Sequence, residues 1–396
     1  MESDNANGTK LLSYGLFTLV LTHILIHAAG NMRATLFPVL KDEFSLTNQQ
    51  IALIVAIPTL SQTLITIPVG WLSDRFGSKK LIALSIVIAA LGAFIGSIST
   101  GPWMYILAST LLTVTSSIYH PPTQSYVSGM TGARDRSKFL GVWNAGGTFG
   151  VSLGPLSVSI LVGYLSFQWR HIYGFWVIPI ILGLVALYFV KDSTPKERES
   201  RVNADEGETT VTKLLNPNML VYLASTTVRM FGGGLTSGFL SIWLVEQLEW
   251  SLTDIGIMFG AASILGIFAA PIGGALASRF GDKRWLTFTM FASYTCFLLA
   301  ILLKGFWPFM IFYLLQRVFG ILGMGANGAI TAKLSPPRQR GMGFALSSLP
   351  TSIATSLAAL IAAQMVDGYG IYSVFPAAAL VYFVGWGIFN WGVKTE

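Results

Sequence analysis

Charge is what this sequence has least of. Only 11% of its 396 residues are Asp, Glu, Lys or Arg, where a soluble domain carries about a quarter. A water-exposed surface cannot be built from so few charges, which excludes a soluble globular protein. Acids are scarcer than bases, and none falls in the middle of an apolar run. Glu246, Glu249, Asp254 and Asp367 all sit at the ends of such runs. Cysteine is nearly missing too: with Cys296 alone, no intramolecular disulfide and no thiolate metal cluster can form. There is no GxxxxGK[ST] phosphate loop, no HExxH and no paired aspartate. An ATP-driven machine and a polytopic membrane enzyme therefore both lack their chemistry, and no cofactor is implied. The first ten residues are polar without a cleavable-signal pattern, so the first apolar run is expected to stay as a membrane helix.

What is present is apolar: 53% of the residues are hydrophobic. About 20 apolar residues cross a bilayer core. Twelve segments qualify, at 11–38, 48–72, 79–99, 102–130, 138–165, 170–191, 218–246, 253–278, 285–303, 306–334, 341–366 and 370–392. The fold class expected is an all-α polytopic membrane protein of twelve transmembrane helices. The net charge of +7 is topological. With both termini on the cytoplasmic side of the plasma (inner) membrane, cytoplasmic segments hold 19 of the 25 Lys and Arg residues. The outer loops hold only Lys41, Arg170 and Lys304. This positive-inside asymmetry accounts for the basic balance without nucleic acid and makes lipid the partner of the surface.

One long polar stretch interrupts the apolar pattern between Lys191 and Lys213. It divides the chain into a six-helix bundle at 11–191, a cytoplasmic loop at 192–217 and a second bundle at 218–396. The halves repeat one another. Phe44-Ser45-Leu46-Thr47 precedes the second span and Trp250-Ser251-Leu252-Thr253 the eighth. Gly70-Trp-Leu-Ser-Asp-Arg-Phe-Gly-Ser-Lys-Lys80 follows the second, and Gly274-Ala-Leu-Ala-Ser-Arg-Phe-Gly-Asp-Lys-Arg284 follows the eighth, 204 residues on. An internal repeat of this kind implies two pseudo-symmetric bundles rocking about a central site.

Gly70-x-x-x-Asp74-Arg75-x-Gly77-x-Lys79-Lys80 resembles the cytoplasmic signature between helices 2 and 3 of the major facilitator superfamily, and the resemblance extends over nearly the whole chain. It implies alternating access in a monomer, with Asp74 and its basic neighbours as a cytoplasmic latch that steadies the outward-open state. The second copy has Ser278 where Asp74 would be, so its charge lock is weaker. Gly150-x-x-x-Gly154-Pro155 resembles part of that superfamily's antiporter motif, without the paired glycines that should follow. Small residues beside a proline also give a kinked, closely packed helix whatever the direction of transport. Phe44-Ser-Leu-Thr-Asn-Gln-Gln, Ala56-Ile-Pro58 and Asn144-Ala-Gly-Gly147 are similar to stretches of nitrate/nitrite porters, but the arginine those porters carry before the helix 2 proline falls at Thr66.

Charges inside spans cost roughly 2.5–3.5 kcal/mol each on insertion scales and are functional candidates by default. Here they are Arg33, Arg229 and Arg317. Arg229 and Arg317 each lie 11 residues into a span of the second half, roughly 17 Å from a membrane face at 1.5 Å per residue. Both are thus near the midplane, with no acid to pair with. An anionic substrate satisfies such guanidiniums in a bidentate fork; backbone carbonyls are the structural alternative. Arg33 is nearer the outer end. His23, His27 and Asn31 are spaced to form one polar stripe on the first span, and His120 precedes Pro121-Pro122 in the fourth. Histidine titrates near neutral pH, which makes these residues candidates for proton-anion symport. A metal is not expected at His23 and His27, because no carboxylate offsets a divalent charge. Asn144 is a further candidate for the cavity wall. Gly232-Gly233-Gly234, one turn beyond Arg229, is expected to bend the seventh span or act as a gating hinge, with simple close packing as the alternative. The function expected is secondary transport of a small organic anion such as a carboxylate, with protons as coupling ion. The alternative is a drug or metabolite proton antiporter, and a nitrate-type porter ranks below both.

Overall fold

A computed structural model describes residues 13–76, 78–130, 136–190, 216–335 and 340–394. The described chain is helical, in twelve spans. In the first half these are α1 (Tyr14–Gly30, continued by Arg33–Phe44), α2 (Asn48–Phe76), α3 (Ser78–Ser97), α4 (Pro102–Gly129), α5 (Arg136–Val158, ending in a π-helical Ser159–Tyr164) and α6 (Trp169–Tyr188). In the second they are α7 (Pro217–Ser237, then Leu240–Leu248), α8 (Leu252–Phe280), α9 (Asp282–Leu303), α10 (Phe306–Leu322, then Met324–Leu334), α11 (Arg340–Tyr369) and α12 (Val374–Gly387, ending in Ile388–Gly392). Among the described residues nine helices are long and apolar enough to cross a membrane, and the bent α7 pair makes ten. The other two, α2 and α4, are rich in hydroxyls. Thr59, Thr63, Thr110, Thr113 and Thr115 donate to carbonyls four residues back in their own helix, which meets the hydrogen-bonding need of a polar group away from water. Outward faces carry exposed Phe94, Leu182, Phe268 and Leu380, as a lipid-facing surface requires.

The repeat is written into the backbone at the same offset of 204 residues. The first span of each half ends on a left-handed residue, Ser45 at φ 48° and Glu249 at φ 58°. A reciprocal cap then restarts the chain. Thr47 and Gln50 exchange side-chain bonds at the head of α2, and Ser251 and Asp254 form a capping box on α8. Thr47 therefore corresponds to Ser251. The visually similar tetrapeptides that begin at Phe44 and Trp250 are two residues out of register with the repeat.

The end of the bundle that carries Lys79 and Lys80 is the basic end. The halves meet toward the opposite, far end, where α2 packs on α11 and α5 on α8. There Lys41 pairs with Glu246, Asn48 donates to Asp367 at 2.7 Å, and Ser159 donates to the carbonyl of Thr253 at 2.9 Å. These contacts close the space between the halves on that side.

Two expectations change. The first span does not stop near residue 38 but runs on as helix to Phe44. The bend expected at Gly232-Gly233-Gly234 is absent there: the helix is continuous through Ser237, and a 43° bend follows at Gly238. Gly232 and Gly234 are buried contact points instead. A Cβ on Gly234 would overlap the α11 backbone at Thr355 and lie 2.7 Å from the Ala358 side chain. Gly232 and Gly233 pack on Tyr382 of α12, and close packing on α11 and α12 supplies the energy that holds three weak helix formers helical.

Candidate functional site

A cavity of about 330 Å³ lies between the halves. The first half contributes Asn31 of α1 and Pro155 of α5, and the second contributes residues of α7, α8, α9, α10 and α12. Its polar groups include Asn31, Thr236, Ser237, Tyr313, Gln316, Arg317 and Tyr382. A second cavity of about 350 Å³ opens within the second half and is lined by both Arg229 and Arg317. Gln316, Arg317 and Tyr382 border both spaces.

The two arginines differ in environment. Arg229 is 7% exposed. Its Nη2 donates to Thr226 Oγ1 at 2.9 Å, and Nε reaches the Ser225 carbonyl at 3.4 Å. Its aliphatic stem packs on Gly385 of α12, where a Cβ would sit 2.5 Å from Cγ. Ser225 locks that crossing by donating to the Gly385 carbonyl at 2.7 Å. Backbone and hydroxyl partners therefore satisfy much of this guanidinium. Arg317 is exposed to the cavities and makes no hydrogen bond or ion pair among the described residues. Arg33 lines neither space. Its Nη1 donates to the Ile54 carbonyl at 3.1 Å, bracing α1 against α2.

Asn31 stands at the edge of the central cavity, and its amide donates to the His27 carbonyl at 2.8 Å. The histidine stripe continues from there toward the basic end and meets α4. His120 Nε2 lies 3.1 Å from His23 Nε2 and 3.2 Å from His27 Nε2. The His23 ring stacks on Trp143 of α5, with centroids 4.1 Å apart and planes at 14°. Close approach of α1 and α5 makes this possible, since a Cβ on Gly147 would clash with the His23 ring at 2.3 Å. Gly150 and Gly154 meet the α1 backbone as closely, at the carbonyls of Ile24 and Ala28 beside His27 and Asn31. Pro155 lies within the same helix and lines the cavity. Asn144 is exposed one residue beyond Trp143 and lines neither cavity.

In the latch segment α2 is helical through Phe76. Gly77 and the side chains of Asp74 and Arg75 lie outside the described residues, as do the surroundings of Gly70. Lys79 caps the end of α6 by donating to the carbonyls of Tyr188, at 3.0 Å, and Val190. Lys80 is exposed. In the second copy Ser278 donates back to Gly274 of its own helix, while Lys333 pairs with Asp282 at 2.6 Å. Residues missed by sequence reasoning are the mid-span tyrosines Tyr294, Tyr313 and Tyr382. Tyr294 and Tyr382 stack at 4.7 Å and 7° beside the arginines. A signal existed: tyrosine normally marks the membrane interface, so one deep in a span needs a polar neighbour.

The described geometry agrees with comparisons to known proteins. The model of the Major Facilitator Superfamily matches residues 19–228 and 221–393. The chain is 24% identical over 386 residues to multidrug resistance protein 2 of Bacillus subtilis (strain 168), covering 94% of each. It is 26% identical over 262 residues to the class H tetracycline resistance protein of Pasteurella multocida, where the match spans 64% of that relative's length. Among solved structures it resembles a bacterial homologue of the human lysosomal transporter Spinster, in an inward-facing and unoccupied conformation. That match has a TM-score of 0.78 and 16% identity and covers 97% of both chains. A POT family transporter in complex with 5-aminolevulinic acid is similar at a TM-score of 0.75 and 13% identity, over 94% of this chain and 95% of that one. Two tandem family matches over a twelve-helix frame make the chain a member of the Major Facilitator Superfamily, a secondary transporter by fold.

Proposed function

We propose that this protein carries a small organic anion, such as a carboxylate, by proton-coupled symport and alternating access. It acts as a monomer in the plasma (inner) membrane with both termini cytoplasmic. The observation that carries the reading is Arg317: a guanidinium that faces the central cavity without a partner among the described residues. A carboxylate there makes charge-assisted bonds that no neighbouring side chain supplies. Arg229 adds positive potential from the adjoining cavity. Cavities of 330 and 350 Å³ suit a small molecule. Moving an anion inward against an inside-negative potential costs about 2.3 kcal/mol per charge at 100 mV. Accumulation against a concentration gradient therefore needs a driving ion, and the proton fills that role in this reading. The basic end faces the cytoplasm by the positive-inside rule, so the closed far end is the outer gate.

Proteoliposomes offered a panel of carboxylates at two pH values test the proposal. Uptake is expected to rise with an inward proton gradient and to disappear in Arg317→Ala. Transport of cationic drugs alone, indifferent to Arg317→Ala and Arg229→Ala, would sink it. A second reading, a drug or metabolite exporter, is favoured by the resistance proteins among the relatives and by Phe259, Phe297, Tyr313 and Tyr382 on the cavity wall. Greater drug sensitivity on gene deletion, with no carboxylate uptake, decides for it.

A further inference from the structure

We propose that His23, His27 and His120 bind one borderline divalent transition-metal ion, of the Zn²⁺, Ni²⁺ or Cu²⁺ class, between α1 and α4. His23 Nδ1 lies 2.8 Å from the Trp143 carbonyl, and His120 Nδ1 lies 2.6 Å from the Ser116 carbonyl. A carbonyl only accepts, so each Nδ1 carries the hydrogen and each neutral ring presents a bare lone pair at Nε2. Those two lone pairs face each other at 3.1 Å. His27 Nε2 lies 3.2 Å from the same His120 atom. The His27 tautomer is not fixed, because its Nδ1 is 3.5 Å from the Asn31 amide nitrogen. Even with the hydrogen of His27 donated to His120, His23 Nε2 is left against a lone pair. A cation belongs among the three nitrogens.

The spacing matches a metal. Zinc–imidazole bonds of 2.0–2.1 Å at a tetrahedral angle put neighbouring donors about 3.3 Å apart. Two of the three edges are 3.1 and 3.2 Å, and all the ligand atoms lie within 4.8 Å. Metal binding closes the remaining edge by turning the half-buried His27 ring toward His23. A ring N–H donated to a carbonyl is also the outer support that orients metal-binding histidines, and two of the three have it. Stacking on Trp143 fixes the His23 plane further. Three nitrogen donors disfavour Mg²⁺ and Ca²⁺, which take oxygen. Imidazoles bring no charge, and no carboxylate joins the cluster among the described residues. The fourth position is therefore set for hydroxide or an organic anion. Sequence spacing showed only the two ligands on α1, and α4 supplies the third.

The test uses purified full-length protein with its affinity tag removed. One Co²⁺ per chain is expected, with the absorption of tetrahedral nitrogen-ligated cobalt, displaced by Zn²⁺ and unaffected by excess Mg²⁺. His120→Gln should weaken Zn²⁺ by more than the 10–100-fold typical of outer-shell changes, while His171→Gln, outside the cluster, leaves it unchanged. Metal-free thermal unfolding of each variant checks folding, and His27→Gln serves if His120→Gln does not fold. Zn²⁺ binding no tighter than in the His23→Gln/His27→Gln/His120→Gln variant overturns the proposal and leaves a shared proton as the cation.

Discussion

Replacing Arg317 by Gln separates binding from stability in a way that few substitutions in this protein can. The side chain is exposed to the cavities and has no bond to lose among the described residues. Its removal therefore leaves no orphaned acceptor in the protein, and the melting temperature should stay within about 1–2 °C of wild type, as for surface changes. The substrate anion loses a charge-assisted bond. Such bonds contribute roughly 1.5–3 kcal/mol each, and 1.4 kcal/mol is a factor of ten, so affinity should fall about 10- to 150-fold. Arg317→Lys keeps the charge without the planar fork and should fall between the two. Arg229→Gln inverts the pattern. That side chain is 7% exposed and holds Thr226 and the Ser225 carbonyl, so its loss lowers the melting temperature. The assay is uptake of the best-transported carboxylate, paired with thermal unfolding of the same preparations. An Arg317→Gln protein that melts normally and binds the anion with wild-type affinity refutes the assignment of that guanidinium to substrate.

The glycine triplet of α7 discriminates packing from hinging. Gly233 meets only the Tyr382 hydroxyl at 3.5 Å, so Gly233→Ala should keep transport and stabilise the helix by about 0.5–1 kcal/mol. Gly234→Ala should destabilise by about 1–3 kcal/mol through overpacking, and lost transport in a stable Gly233→Ala protein would restore the hinge. At the outer gate, Lys41→Glu should raise accessibility of cysteine probes from the far side, and adding Glu246→Lys should reverse it. The effect is expected to stay under about fivefold, because the pair is 27% and 37% exposed and such pairs contribute about 0–1 kcal/mol. Gly147→Val should force α1 from α5, shift the Trp143 fluorescence and lower stability by about 1–3 kcal/mol. An unchanged spectrum would mean that His23 and Trp143 do not stack.

Asparagine and histidine at four-residue spacing on one span, a signature after another, and arginines with no acid in reach are local or compositional facts. The sequence alone determined them, because helix periodicity and membrane insertion both act on contiguous residues. It therefore determined twelve spans, a duplicated plan and a positive charge in the membrane core. What Arg229 and Arg317 do there was not legible. Both sit 11 residues into a span, yet one is bonded by its own helix and the other faces an open cavity, since rotation about each helix axis depends on which neighbours pack against it. Whether the glycine triplet bends or packs was open for the same reason: propensity is weak, and contact with α11 and α12 overrides it. His120 is 93 and 97 residues from its partners. No pattern in the chain joins it to them. Only the crossing of α1, α4 and α5, at a separation allowed by glycine, brings three nitrogens together and makes their lone pairs a question of chemistry.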